Sequence, residues 1–140
     1  MRVKIVVALV PLVAFLFIVA CRGRSSTGND KVIKFAKSGE MTITLLNTSG
    51  ELKRGENDLT ISFADASGKP VDVGAASLNF HMAAMGSMAE MNDKATLTTT
   101  DTPGKYRAQV NIGMAGTFEA QVKYQGQHGT GQVNMSVQAK

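Results

Sequence analysis

Met82, Met85, Met88 and Met91 hold half of the chain's eight methionines within ten residues, and His81 stands just before them. Thioether sulfur is a soft, neutral donor that binds without losing a proton. Clustered methionines therefore suit Cu(I), and an imidazole can complete such a site. Zinc would ask for thiolates, several histidines, or histidine with carboxylates, and only Glu90 and Asp93 accompany His81 here. The competing use of methionine is flexible apolar filler. Met82 shares the parity of Leu78 and Phe80, which assigns it to a core. His81 has the opposite parity and should face solvent, where an ordinary surface role weighs slightly more than a ligand role. Met85, Met88 and Met91 follow in a glycine-containing segment, where ligand and packing are evenly matched.

The elements that hold these residues are strands. Apolar and polar residues alternate with period two at Met41, Ile43, Leu45; at Leu59, Ile61, Phe63; at Ala76, Leu78, Phe80, Met82; and at Ala95, Leu97. The same pattern returns at Tyr106, Ala108, Val110, Ile112; at Phe118, Ala120, Val122, Tyr124; and at Val133, Met135, Val137. Such alternation marks strands with one buried face. Turn-forming clusters separate them, among them Asn47-Thr48-Ser49-Gly50, Ala66-Ser67-Gly68-Lys69-Pro70 and Asp101-Thr102-Pro103-Gly104. Seven short strands and no long helical pattern predict an all-β chain: a single antiparallel β-sandwich of immunoglobulin-like architecture over residues 32–140. Phe80, Leu59, Ile61, Val110 and Val122 are expected in one core.

The N-terminus predicts export. Arg2 and Lys4 precede a run from position 5 to 20 without a charged residue, so residues 1–20 have the layout of a signal peptide. The run is short for a spanning helix and is interrupted at Pro11. Ile18-Val19-Ala20-Cys21 resembles a lipobox, in which the cysteine is acylated and becomes the new N-terminus. The alternative is an uncleaved anchor helix with an incidental cysteine; export follows in both cases. Cys21 is the sole cysteine, so no intrachain disulfide is available and lipidation is the use that remains. Residues 21–31, with the polar stretch Arg22-Gly23-Arg24-Ser25-Ser26-Thr27-Gly28-Asn29-Asp30, read as the lipidated cysteine and a flexible tether. The expected location is the cell envelope, facing the periplasm or the cell exterior.

Loss of Arg2 and Lys4 lowers the formal charge from +4 to +2, so the basic balance partly belongs to the leader and implies no nucleic-acid partner. With no cysteine in the mature domain and only His81 and His128 as bases near neutrality, a nucleophile with its base and orienting group is hard to assemble. No enzyme is expected.

From about Gly55 to Val137 the chain resembles the YtkA-like and FixH-like envelope domains. The resemblance rests on Gly55-Glu56-Asn57-Asp58-Leu59, Asp65-Ala66-Ser67-Gly68-Lys69-Pro70-Val71 and the methionine segment. It continues through Pro103-Gly104-Lys105-Tyr106 and Met114-Ala115-Gly116-Thr117-Phe118. It implies an immunoglobulin-like module associated with copper handling and oxidase assembly, with Met82, Met85 and Met114 at the family's methionine positions. Two positions depart from the pattern: Gly86-Ser87-Met88 stands where a histidine often follows the second methionine, and Phe118 stands where tryptophan is frequent.

Two functions follow as expectations. One is a lipid-anchored module that holds or passes Cu(I), with a site drawn from Met85, Met88, Met91 and Met114, with Met82 and His81 as further candidates. The other is a structural or interaction module, an accessory subunit of an envelope complex whose methionine-rich loop is an adaptable contact surface. Counting seven strands puts the methionine loop and Met114 at one end of the sandwich and His128 at the other. The same count puts the tether at the end opposite the methionines.

Overall fold

All seven alternating segments form strands, and two further strands complete a nine-stranded fold in the computed structural model, which describes residues 29–140. In chain order the strands are β1 (Lys31–Ser38), β2 (Met41–Asn47), β3 (Gly55–Ala64), β4 (Ala75–Met82) and β5 (Met91–Lys94). They continue with β6 (Thr96–Thr99), β7 (Lys105–Ile112), β8 (Gly116–Gly126) and β9 (Gly129–Ala139). Two antiparallel sheets, ordered β1-β2-β3-β7-β6 and β5-β4-β8-β9, make the expected sandwich. The expected leader, Cys21 and nearly all of the tether lie outside the described residues. Among the described residues no helix is long and apolar enough to cross a membrane.

Alternation places one face of β2, β3, β4, β7, β8 and β9 inside. Ile43 and Leu45, Leu59, Ile61 and Phe63, Leu78 and Phe80, and Ala108, Val110 and Ile112 interleave with Phe118, Ala120 and Val122 in a continuous core. Phe63 anchors it through edge-on contacts with Tyr106 and Tyr124, each at 5.6 Å between ring centres. Phe80, Leu59, Ile61, Val110 and Val122 all belong to this core, as their parity requires.

The two additional strands have physical reasons for escaping the alternation. In β1 a bulge between Val32 and Lys34 shifts the register against β2, so apolar residues fall out of period two. In β5 only Met91 is apolar among four residues. β5 and β6 form one run bent at Ala95: Phe80 pairs with Asp93 in one sheet, and Leu97 pairs with Ala108 in the other. The run changes sheets there and closes one side of the sandwich.

Register fixes which connections share an end. Gly55 pairs with Ile112, Gly116 with Ala139, and Leu52 bridges Ala139. His81 near the close of β4 pairs with Glu119 near the start of β8. The methionine segment, the 113–115 turn and the C-terminus therefore lie together. Lys31 pairs with Asn47, which closes β2 at this same end. The expectation that the chain enters at the end opposite the methionines is thus corrected: β1 adds one strand before the first counted one and reverses the parity. His128, in the turn joining β8 to β9, does lie at the far end.

Candidate metal site

The methionine end is built from three short connections. Residues 47–54 are shaped by two buried amides. Asn47 donates from Nδ2 to the Glu51 carbonyl at 2.7 Å and accepts from the Gly50 amide at 2.6 Å. Asn57 donates to the Lys53 carbonyl at 2.6 Å and accepts the Lys53 amide at 3.0 Å. Side-chain amides of this kind satisfy turn backbone that has left the ladder. Glu51 also forms an ion pair with Lys140; the lysine's hydrogen bond and charge hold the Glu51 carboxyl below its ordinary range.

The segment after β4 folds back in a tight turn. The Met85 amide donates to the Met88 carbonyl at 3.1 Å, and the Met88 amide donates to the Met85 carbonyl at 2.9 Å. Gly86, at φ 57°, sits in the left-handed region this turn requires. In such an antiparallel bridge the paired side chains project to the same side, with Cβ atoms ~4.5–5.5 Å apart. Met85 is 60% exposed and Met88 42% exposed, so neither sulfur is committed to the core.

Met82 and Met91 behave differently. They pair across the β4–β5 ladder. Met82 is buried in the core, while Met91 is half-buried against it together with Met114. Gly113 and Gly116 bracket Met114 and leave room for both methyl groups: a Cβ on Gly113 would lie 2.7 Å from the Met91 methyl, and one on Gly116 would lie 2.8 Å from the Met82 methyl. The Gly113 amide donates to Asp93 Oδ2 at 3.0 Å, tying the β7–β8 turn to the strand that carries Met91. Nothing local in the sequence marks this positioning role for Asp93, because its partner lies twenty residues away.

His81 faces the other side of its sheet. Its Nδ1 lies 3.2 Å from Asn92 Oδ1, and it borders a shallow groove with Ala83, Thr117, Glu119, Asn134 and Ser136. No methionine lines that groove. Alternation explains the separation, since Met82 next door points inward. The structure thus brings Met82, Met91 and the Met114 turn into one packed group, pairs Met85 with Met88 in solvent, and sets His81 and His128 apart.

Among the described residues no three His, Cys, Asp or Glu side chains gather in a way that could hold a metal ion. The opposite end carries a polar latch: the Tyr106 hydroxyl donates toward Asp72 Oδ1 at 3.0 Å and the Gly74 carbonyl at 3.1 Å, while the Gly74 amide donates to Asp72 Oδ1 at 2.9 Å.

No curated protein and no solved structure matches the chain. The sequence model of the YtkA-like family matches residues 35–123. That span starts earlier than the sequence motifs indicate, inside β1, and takes in the methionine segment and the 113–115 turn. Since it covers more than half of the chain, the protein belongs to the YtkA-like family.

Proposed function

We propose that this protein is a lipid-anchored module of the cell envelope that holds or passes Cu(I) through its methionine segment and performs no catalysis of its own. The observation that carries the reading is the Met85–Met88 turn: two thioethers on one side of a hydrogen-bonded bridge, both exposed where packing makes no demand on them. Copper is cargo in this reading. The neutral sulfurs fit Cu(I), a soft ion that favours soft ligands, and a third thioether would have to come from Met91 or Met114, half-buried at the same end. The anchor is Cys21, by its lipobox-like context.

A second reading rests on the same exposure. Methionine is a pliable apolar side chain, and an exposed pair suits a surface that adapts to a protein partner in an envelope complex. Leucine separates the two, because it keeps the approximate volume and removes the sulfur. Cu(I) affinity, read by competition against a chelator, should fall in Met85→Leu and Met88→Leu and stay unchanged in His128→Ala. Equal affinity in all three would overturn the copper reading. Retained capture of an envelope partner by the leucine variants would then favour the contact surface. A site of thioethers alone should hold Cu(I) equally well on mild acidification, because thioether sulfur binds without losing a proton.

A further inference from the structure

Val32 and Phe35 are three residues apart and would face opposite sides of a regular strand. The bulge between Val32 and Lys34 cancels the odd spacing. Val32 then pairs with Leu46 and Phe35 with Thr44, both on the outer face of β2. The two apolar side chains therefore share the outside of the five-stranded sheet, 54% and 59% exposed, with half-buried Leu46 beside them. Nothing in the core requires either residue there. Lys37 pairs with Thr42 on that same face, while Lys31 and Lys34, paired with the inward-facing Asn47 and Leu45, are exposed at the rim of the same edge strand. Asp30, next to Lys31 in the chain, is turned onto β3, where it accepts from Thr60 Oγ1 at 3.3 Å.

Exposed aromatic and aliphatic side chains beside lysines match the boundary of a bilayer, where the apolar groups enter the acyl region and the cations meet anionic headgroups. The position of this patch in the chain selects that occupant. Cys21 lies ten positions before Lys31, so a fully extended connection spans at most ~35 Å. The chain enters the fold at the patch itself. We infer that the outer face of β1 docks the domain onto an anionic lipid surface, through Val32, Phe35 and Lys37 with Lys31 and Lys34 at the rim. The sandwich then lies against the bilayer and does not stand away from it. This inference rests on the anchored reading above. The methionine end, which shares its pole with Lys31, would face along the membrane plane within reach of membrane-embedded partners.

The chain contains no tryptophan, which makes Phe35→Trp a single reporter at an exposed site. The full chain would be reconstituted into phosphatidylcholine vesicles with and without phosphatidylglycerol, with Ser77→Trp on the opposite sheet as control. Docking predicts that the indole emission of Phe35→Trp shifts to shorter wavelength, loses intensity with brominated lipid, and that salt weakens both effects, while the emission of Ser77→Trp stays unchanged. Amine acylation should independently spare Lys37 on anionic vesicles in the unsubstituted chain. Co-sedimentation of Phe35→Trp with its indole still in water would overturn docking while leaving the anchor intact. Failure to co-sediment at all would overturn both. A shift in Phe35→Trp without lipid that grows with protein concentration would assign the patch to a second copy of this chain, and one seen only in native membranes would assign it to a protein partner; either overturns the lipid surface.

Discussion

Met91 stands directly across the β4–β5 ladder from Met82, and their methyl groups cover two glycines of one turn, Gly113 and Gly116 respectively. This arrangement separates two substitutions that look alike in sequence. Gly113→Ala crowds the flexible end of half-buried Met91 and makes ordinary contact with Asp93 Oδ2 at 3.9 Å, so the cost should be about 1 kcal/mol or less. Gly116→Ala places a Cβ at φ 149° against buried Met82, and about 1–3 kcal/mol is expected from backbone strain and overpacking. Methyl-labelled methionine spectra should show the Met91 resonance moving in the first variant and the Met82 resonance in the second. The reverse pattern would contradict the contacts described.

Phe80 is 1% exposed and sits in the core shared by both sheets. Phe80→Ala should destabilise the domain by about 3–5 kcal/mol, through lost burial and the cavity left behind. Chemical denaturation would measure it. An unchanged midpoint would mean that the inward parity of β4 is wrong.

Peroxide should divide the methionines by exposure. Oxidation of the thioether to the sulfoxide requires access to sulfur, so Met85 and Met88 should react first while buried Met82 and Met135 are spared in the folded state. Peptide mass spectrometry over a time course would resolve the order. Early modification of Met82 would show that the end of β4 opens readily.

The Tyr106 latch carries a pH dependence at both extremes. Hydrogen bonds from the Gly74 amide and the Tyr106 hydroxyl hold the Asp72 carboxyl below its ordinary value of 3.8. A lowered folded value means stability present above the ordinary value and lost as pH falls through the folded one. Burial, followed by the bond to Asp72, raises Tyr106 above 10.0. That contribution is complete below 10.0 and is lost as pH rises through the folded value. Tyr106→Phe should cost about 1 kcal/mol near neutrality. It should also remove the alkaline loss while leaving part of the acid loss, because the Gly74 amide still bonds Asp72. Thermal midpoints across pH would check both limbs; an alkaline limb unchanged in the variant would rule the latch out as its source.

The strands that are plain in the sequence are those whose inward residues repeat every second position, from Ile43 in β2 to Val137 in β9. Periodicity fails where the chain itself breaks period: at the Val32/Lys34 bulge and in the four polar-leaning residues of β5. The first failure has a consequence beyond one strand, since it reverses the end at which the chain enters. Within the site, the burial of Met82 follows from parity with Phe80. The Met85–Met88 bridge and the bond between Asp93 and Gly113 depend on loop closure and on a contact twenty residues apart, which no local pattern encodes.

The bend at Ala95 also bears on self-association. A sheet edge invites another chain to extend it, and the risk grows with the length of flat, unpaired backbone. By dividing one run between two sheets, the bend leaves edges of only four residues each in β5 and β6. On the other side the eleven-residue β9 runs along β1, whose bulge and lysines interrupt its own edge. A domain held at a surface, as proposed, would meet its copies far more often than one diluted in solution, and among the described residues the long, regular edge open to them is that of β9.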